Sequence, residues 1–230
     1  MSRRGKRYQE AKKLVASSQP YEINEAVSLL KKLHHSRFDE TVEICMKLGL
    51  DTRQADQQIR GSVALPAGLG KKVRVVAFCE GEEAHKAKEA GAIEAGGEEI
   101  VEKISQGWLD FDVALASPKI MPKVVKLGRI LGPKGLMPSP KSGTVVEDVP
   151  EAVKEFLAGK VEYRADAGGN VHAPVGKLSF SDEDLATNIK AFTEHIRMVR
   201  PSGAKGSYIQ KMTLSSSMSP GIPVALAQKA

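Results

Sequence analysis

From residue 37 to residue 47 the chain gathers a guanidinium, an aromatic ring, a hydroxyl, a carboxylate and an ammonium: Arg37, Phe38, Thr41, Glu43 and Lys47. Thr41, Glu43, Cys45 and Lys47 alternate with Val42, Ile44 and Met46, the period of a strand with one wet and one dry face. This mixture of groups suits the 2′-hydroxyls, base edges and phosphates of RNA. An ordinary solvated strand face would carry the same alternation, so the pattern alone leaves both readings open. Ser215-Ser216-Ser217-Met218-Ser219-Pro220-Gly221 poses a similar choice, between a polar chain end and a close-packed hydroxyl surface for an RNA backbone.

Catalytic chemistry finds less to stand on. A nucleophilic Cys45 needs a base, yet His34, His35, His85, His172 and His195 show no motif spacing. Cys45 and Cys79, the only cysteines, lack a C-x-x-C partner and form neither a zinc site nor a disulfide framework. Glu82-Glu83 and Glu98-Glu99 fall where helices are expected to begin, where the helix dipole favours negative charge. Neither Ala67-Gly68-Leu69-Gly70-Lys71-Lys72 nor the glycines from Gly128 to Gly135 have the phosphate-cradling spacing of a P-loop, and no G-x-G-x-x-G follows a strand. The expectation is a protein that is no enzyme and needs no metal or cofactor. A nucleotide-dependent enzyme and a generic basic scaffold are the alternatives.

Charge points the same way. Lys plus Arg number 34 against 28 Asp plus Glu, a net +6, which favours a polyanionic partner. The excess is local: Arg3, Arg4, Lys6, Arg7, Lys12 and Lys13 stand near the start against Glu10, and no acidic residue lies between Asp112 and Glu147. Only 5% of residues are aromatic, too few for a row of stacked bases to be the main binding mode. No apolar run approaches the ~20 residues of a membrane helix, and the basic start is not followed by the apolar core of a signal peptide. A cytoplasmic protein with no membrane partner is expected.

Positioning these groups requires elements that the periodicity supplies. Ile23, Ala26, Val27 and Leu30 share one helical face ending near Leu33. Thr41 to Lys47 and Arg60 to Leu65 read as strands that would pair with each other. Val73 to Phe78 is a nearly continuous apolar, β-branched run of the kind buried on both faces in a parallel sheet. A helix over Glu82 to Ala90, a strand over Ala92 to Ala95, a helix over Glu98 to Ser105 and a strand over Phe111 to Ala116 follow, a small doubly wound α/β unit. Pro118 to Pro140 holds five of the 12 prolines. Beyond it, Val161 to Arg164 and Val171 to Val175 flank Asp166-Ala167-Gly168-Gly169-Asn170, the pattern of a hairpin. Ser181 and Asp184 cap a long helix with the stripe Leu185, Ile189, Phe192, Ile196 and Val199, and Tyr208 to Leu214 is a last strand. The flanks share an α+β style while the middle is α/β, so the middle reads as an insertion.

Lys126 to Val145, with Gly128-Arg129-Ile130-Leu131-Gly132-Pro133-Lys134-Gly135-Leu136-Met137-Pro138 at its heart, resembles the signature of the bacterial large-subunit ribosomal protein L-one family. Phe38-Asp39-Glu40-Thr41-Val42-Glu43, Val171 to Lys177 and Gly203-Ala204-Lys205-Gly206 resemble further motifs of that family in order, over essentially the whole chain. The resemblance implies a discontinuous α+β RNA-binding domain from residues 1–68 and 160–230, with a Rossmann-like α/β domain, 69–159, inserted. It implies a binding surface of Phe38, Thr41, Glu43, Lys47, Gly176, Lys177, Ser217, Met218 and Ser219, to which the reading of the strand face adds Arg37. It further implies a monomer when free that joins the large ribosomal subunit on the stalk of its ribosomal RNA, assists release of deacylated tRNA at the exit site, and represses its own operon messenger RNA. Two positions depart from the family pattern: Ser217-Met218-Ser219 replaces the usual Thr-Met-Gly, and Ser139 the common Asn.

Overall fold

The computed structural model describes residues 5–15, 19–34 and 36–226. Its elements are α1 (Lys6–Leu14), α2 (Ile23–Lys32), β1 (Thr41–Leu48), β2 (Arg60–Ala64), β3 (Val75–Phe78), α3 (Glu82–Glu89), β4 (Glu94–Gly96), α4 (Glu98–Ser105), β5 (Val113–Ala116), α5 (Met121–Val124), α6 (Gly128–Leu131), α7 (Val149–Ala158), β6 (Lys160–Arg164), β7 (Asn170–Lys177), α8 (Asp182–Met198), β8 (Ile209–Ser216) and β9 (Ile222–Val224). They form two compact units: residues 1–70 with 161–230, and residues 71–160.

The first unit is built on a four-stranded antiparallel sheet in the order β7-β1-β8-β9. The inward residues of β1, Val42, Ile44, Met46 and Leu48, are buried together with Val171, Ala173 and Val175 of β7 and Leu214 of β8. Against them α8 lays Leu185, Ile189, Phe192 and Ile196, and α2 adds Ala26, Val27 and Leu30. Each such side chain contributes roughly 1.5–3 kcal/mol by leaving water, so the inward set of β1 fixes which residues remain on the outer face: a one-residue slip would bury Glu43 and Lys47. Ser181 caps α8 by accepting the Asp184 N–H at 3.0 Å, as the box of residues predicts. The wholly buried Asn188 accepts the Ala67 N–H at 3.0 Å and donates to the carbonyls of Gly68 (2.9 Å) and Val175 (2.8 Å), pinning the chain that leaves β2 to β7.

Several expectations change here. β2 pairs with β6 in a separate two-stranded sheet, not with β1, because β7 and β8 occupy both edges of β1. The segments 161–164 and 171–175 are joined by a tight loop, but β6 and β7 enter different sheets and share only the bridge Ala165 to Val171. Val199 lies beyond α8 and is exposed. Ser215 and Ser216 belong to β8, and β9, absent from the sequence reading, follows the shortened loop. The N-terminal basic stretch is partly the helix α1; Arg3 and Arg4 lie outside the described residues, as does His35.

In the second unit β4-β3-β5 form a parallel sheet. All four residues of β3 are buried, and alternate ones serve opposite faces. Val75 and Ala77 pack with Ala87 of α3 and Val149, Val153 and Phe156 of α7. Val76 and Phe78 pack with Ile100 and Ile104 of α4 and with Val124, Leu127 and Leu131. Two covered faces explain why this strand reads as a continuous apolar run. The helix α7, which the sequence reading left out, is capped by Asp148 accepting the Glu151 N–H at 3.1 Å and carries Pro150 in its first turn.

Candidate nucleic-acid interface

The outer face of the four-stranded sheet is polar because its inner face takes the apolar set. Register places Thr41 opposite Lys177, Glu43 between Pro174 and Ser215, Cys45 between His172 and Thr213, and Lys47 between Asn170 and Lys211. At the Thr41 end these groups hold one another. Lys177 Nζ donates to Thr41 Oγ1 at 2.8 Å and to the Asp39 carbonyl at 3.3 Å, and the Thr41 N–H donates to Ser217 Oγ at 3.2 Å. The Asp39 carboxylate accepts the Ser179 N–H at 3.1 Å and its hydroxyl at 2.8 Å. Three segments far apart in sequence, 38–43, 177–179 and 215–219, thus form one platform.

Beneath it lies Glu40, only 1% exposed, a residue the sequence reading did not single out. Its carboxylate accepts from Ser36 Oγ (2.5 Å), His34 Nδ1 (3.1 Å), the Met218 N–H (3.1 Å) and Ser216 Oγ. Burial by itself raises this carboxyl, yet the bonds from Ser216, Ser36, Met218 and His34 outweigh it and hold Glu40 below the ordinary carboxylate range. The only signal in the sequence was its place between Phe38 and Thr41; a buried carboxylate cannot be told from an exposed one by residue type.

The expected site residues divide accordingly. Thr41, Lys177, Ser217 and Met218 come together, with Phe38 beside them, 54% exposed and held between the anchored Asp39 and the Ser36 loop. Arg37 and Glu43 are exposed nearby. Lys47 stands six residues down β1, about 20 Å from Thr41 at ~3.3 Å per residue, where it donates to the Gly168 carbonyl. Gly176 is buried and offers no surface. Its φ of 151° favours glycine, and a Cβ there would come within 2.9 Å of Leu185 and 3.1 Å of Phe180; it lets β7 bulge between Val42 and Glu43 so that Lys177 reaches Thr41. Ser219 needs no glycine-like backbone: among the described residues no non-glycine has positive φ. Its hydroxyl accepts the Ser216 N–H at 2.8 Å, a bond glycine lacks.

Cys45 does meet a histidine, His172 on the neighbouring strand, with Sγ to Nε2 at 3.9 Å. Cross-strand register made the pair invisible to sequence spacing. Burial and the charge of Asp166 raise the Cys45 thiol, the opposite of what a nucleophile needs. Among the described residues no group of three or more histidine, cysteine or carboxylate side chains is placed to hold a metal ion.

The second unit presents a different polar region. Lys119, Lys126, Arg129, Lys134 and Lys141 are exposed and, among the described residues, make no ion pair, whereas Lys123 bridges Glu80 and Glu98. The hydroxyls here turn inward: buried Thr144 accepts the Ser139 N–H at 2.9 Å, and buried Ser142 lies beside it. No helix among the described residues is long and apolar enough to cross a membrane.

Such a platform, polar by register and backed by a satisfied carboxylate, suits a folded polyanion better than a small substrate. The model of the ribosomal protein L1p/L10e family matches residues 30–220, a span that runs from Leu30 in α2 to Pro220 just before β9. With more than half of its length matched, the chain belongs to the ribosomal protein L1p/L10e family, a family of structural, non-enzymatic proteins, and is an rRNA-binding constituent of the large ribosomal subunit.

Proposed function

We propose that the first unit grips the stalk segment of large-subunit ribosomal RNA through the platform of Phe38, Thr41, Glu43, Lys177, Ser217 and Met218. The observation that carries this reading is Thr41, bonded at once to Lys177 and Ser217: it sets a cation and two hydroxyls in fixed relation. Lys and Arg supply the salt-dependent part of the affinity, and the fixed groups read 2′-hydroxyls and unpaired base edges. By the same surface the protein binds a matching structure in its own operon messenger RNA and represses its translation. The exposed cations Lys119, Lys126, Arg129, Lys134 and Lys141 of the second unit support contact with deacylated tRNA during its release from the exit site.

Competition between the stalk fragment and unrelated duplex RNA at fixed salt tests the reading. A preference on the order of a thousandfold or more is expected of a specific site, and a chain joining residues 1–68 to 160–230 should keep it. Equal affinity for both RNAs, with equal salt slopes, would reduce the protein to a generic basic scaffold.

A further inference from the structure

Beside the platform, α1 and the segments around Leu33 and Met218 enclose a cleft of about 500 Å³. Buried Ala11 and Leu33 with half-buried Tyr8 form apolar walls, and Met218, 66% exposed, stands at its mouth. Two exposed guanidiniums, Arg7 and Arg37, also line it. Glu40 borders the same space, with donors already on both oxygens.

Charge decides among the occupants. The buried Glu40 carboxylate keeps a phosphate out of the cleft, and with both oxygens engaged it offers little to a ligand that donates. Arg7 and Arg37, with exposed Lys6, Lys12 and Lys13 on α1, repel a basic peptide and favour a polyanion at the rim. What fits is a flat, uncharged, polarisable ring attached to a phosphate chain. We propose that the cleft takes one unstacked purine of the bound RNA, its ring against Tyr8 and Met218, its flanking phosphates at Arg7 and Arg37. This rests on the RNA-binding reading above and adds a base-specific pocket to it, walled by a helix that lies outside the span matched by the family model.

The test uses the full chain and stalk RNA in which each unpaired purine in turn is replaced by 2-aminopurine. On saturation the fluorescence of one labelled position should change about threefold or more, and Ala11→Phe, which fills the cleft, should abolish that change and weaken binding about tenfold, the scale of one lost stacked base. Should Ala11→Phe fail to fold by circular dichroism, Tyr8→Ala gives the same readout. If wild-type protein binds the stalk RNA but no labelled position responds, or if the variants keep wild-type affinity and signal, the pocket is overturned while the platform stands. If wild-type protein shows no preference for stalk RNA, the platform falls and the pocket with it.

Discussion

At the Thr41 end of the four-stranded sheet the exposed polar groups hold one another and are backed by a buried carboxylate. In residues 118–144 of the second unit it is the buried hydroxyls, Ser142 and Thr144, that hold the turn, while the exposed cations make no ion pair among the described residues. The first arrangement has a fixed shape and suits recognition of one folded RNA. The second is a set of exposed charges on long side chains, which suits contact that is salt-sensitive and tolerant of sequence. The region with the most distinctive sequence is therefore not the region with the most organised surface.

Removing the support under the platform should have the largest effect. Glu40→Ala strands the Ser216, Ser36 and Met218 donors in a buried site, and a loss of roughly 3 kcal/mol is expected, at 1–3 kcal/mol per unsatisfied buried group; urea unfolding of the full chain checks it. The ionisation of Glu40 adds a pH signature. Its carboxyl is lowered on folding, so its contribution is present above the ordinary carboxylate range and lost as pH falls through the folded value. Glu40→Gln should flatten the stability profile on the acid side, and an unchanged profile would show that the network is not maintained by charge.

Surface changes sharpen the contrast. Phe38→Ala and Ser217→Val should each cost about 1–3 kcal/mol in stalk RNA affinity, from a lost stacking surface and from an unpaired Thr41 N–H, with little change in the salt slope. Lys126→Gln combined with Arg129→Gln should do the reverse. Stalk RNA binding should hold, while the salt slope for tRNA falls by about one unit per removed phosphate contact. Titrations at two salt concentrations separate the two patterns. The smallest effect is expected of Ser219→Gly, which gives up the bond to the Ser216 N–H for a net of about 1 kcal/mol, read as a small drop in melting temperature.

Local periodicity carried much of the fold. Thr41 to Lys47, Glu98 to Ser105 and the Ser181-capped helix emerge within a residue or two of their read positions, because each buries one face and periodicity records which. What failed was partnership. The sequence of β2 contains nothing that names β6 instead of β1, and β6 and β7 look like a hairpin because loop chemistry records a reversal of direction, not the sheet each strand joins. α7 was missed although Asp148 and Pro150 mark its start, and β9 is too short for a period to show. Within the candidate site the surface groups were legible from residue type. Gly176 acts through a bulge, Glu40 through burial and His172 through register, and none of these is a property of a residue read alone.

The most direct test of the account is the footprint of the RNA on the protein, read as changes in backbone amide signals by nuclear magnetic resonance when stalk RNA is added to the full chain. The largest changes should fall on residues 37–43, 177–179 and 215–219, with weaker ones in 119–141. Changes confined to the cationic segment of the second unit, with the Thr41 and Ser217 amides unmoved, would contradict it.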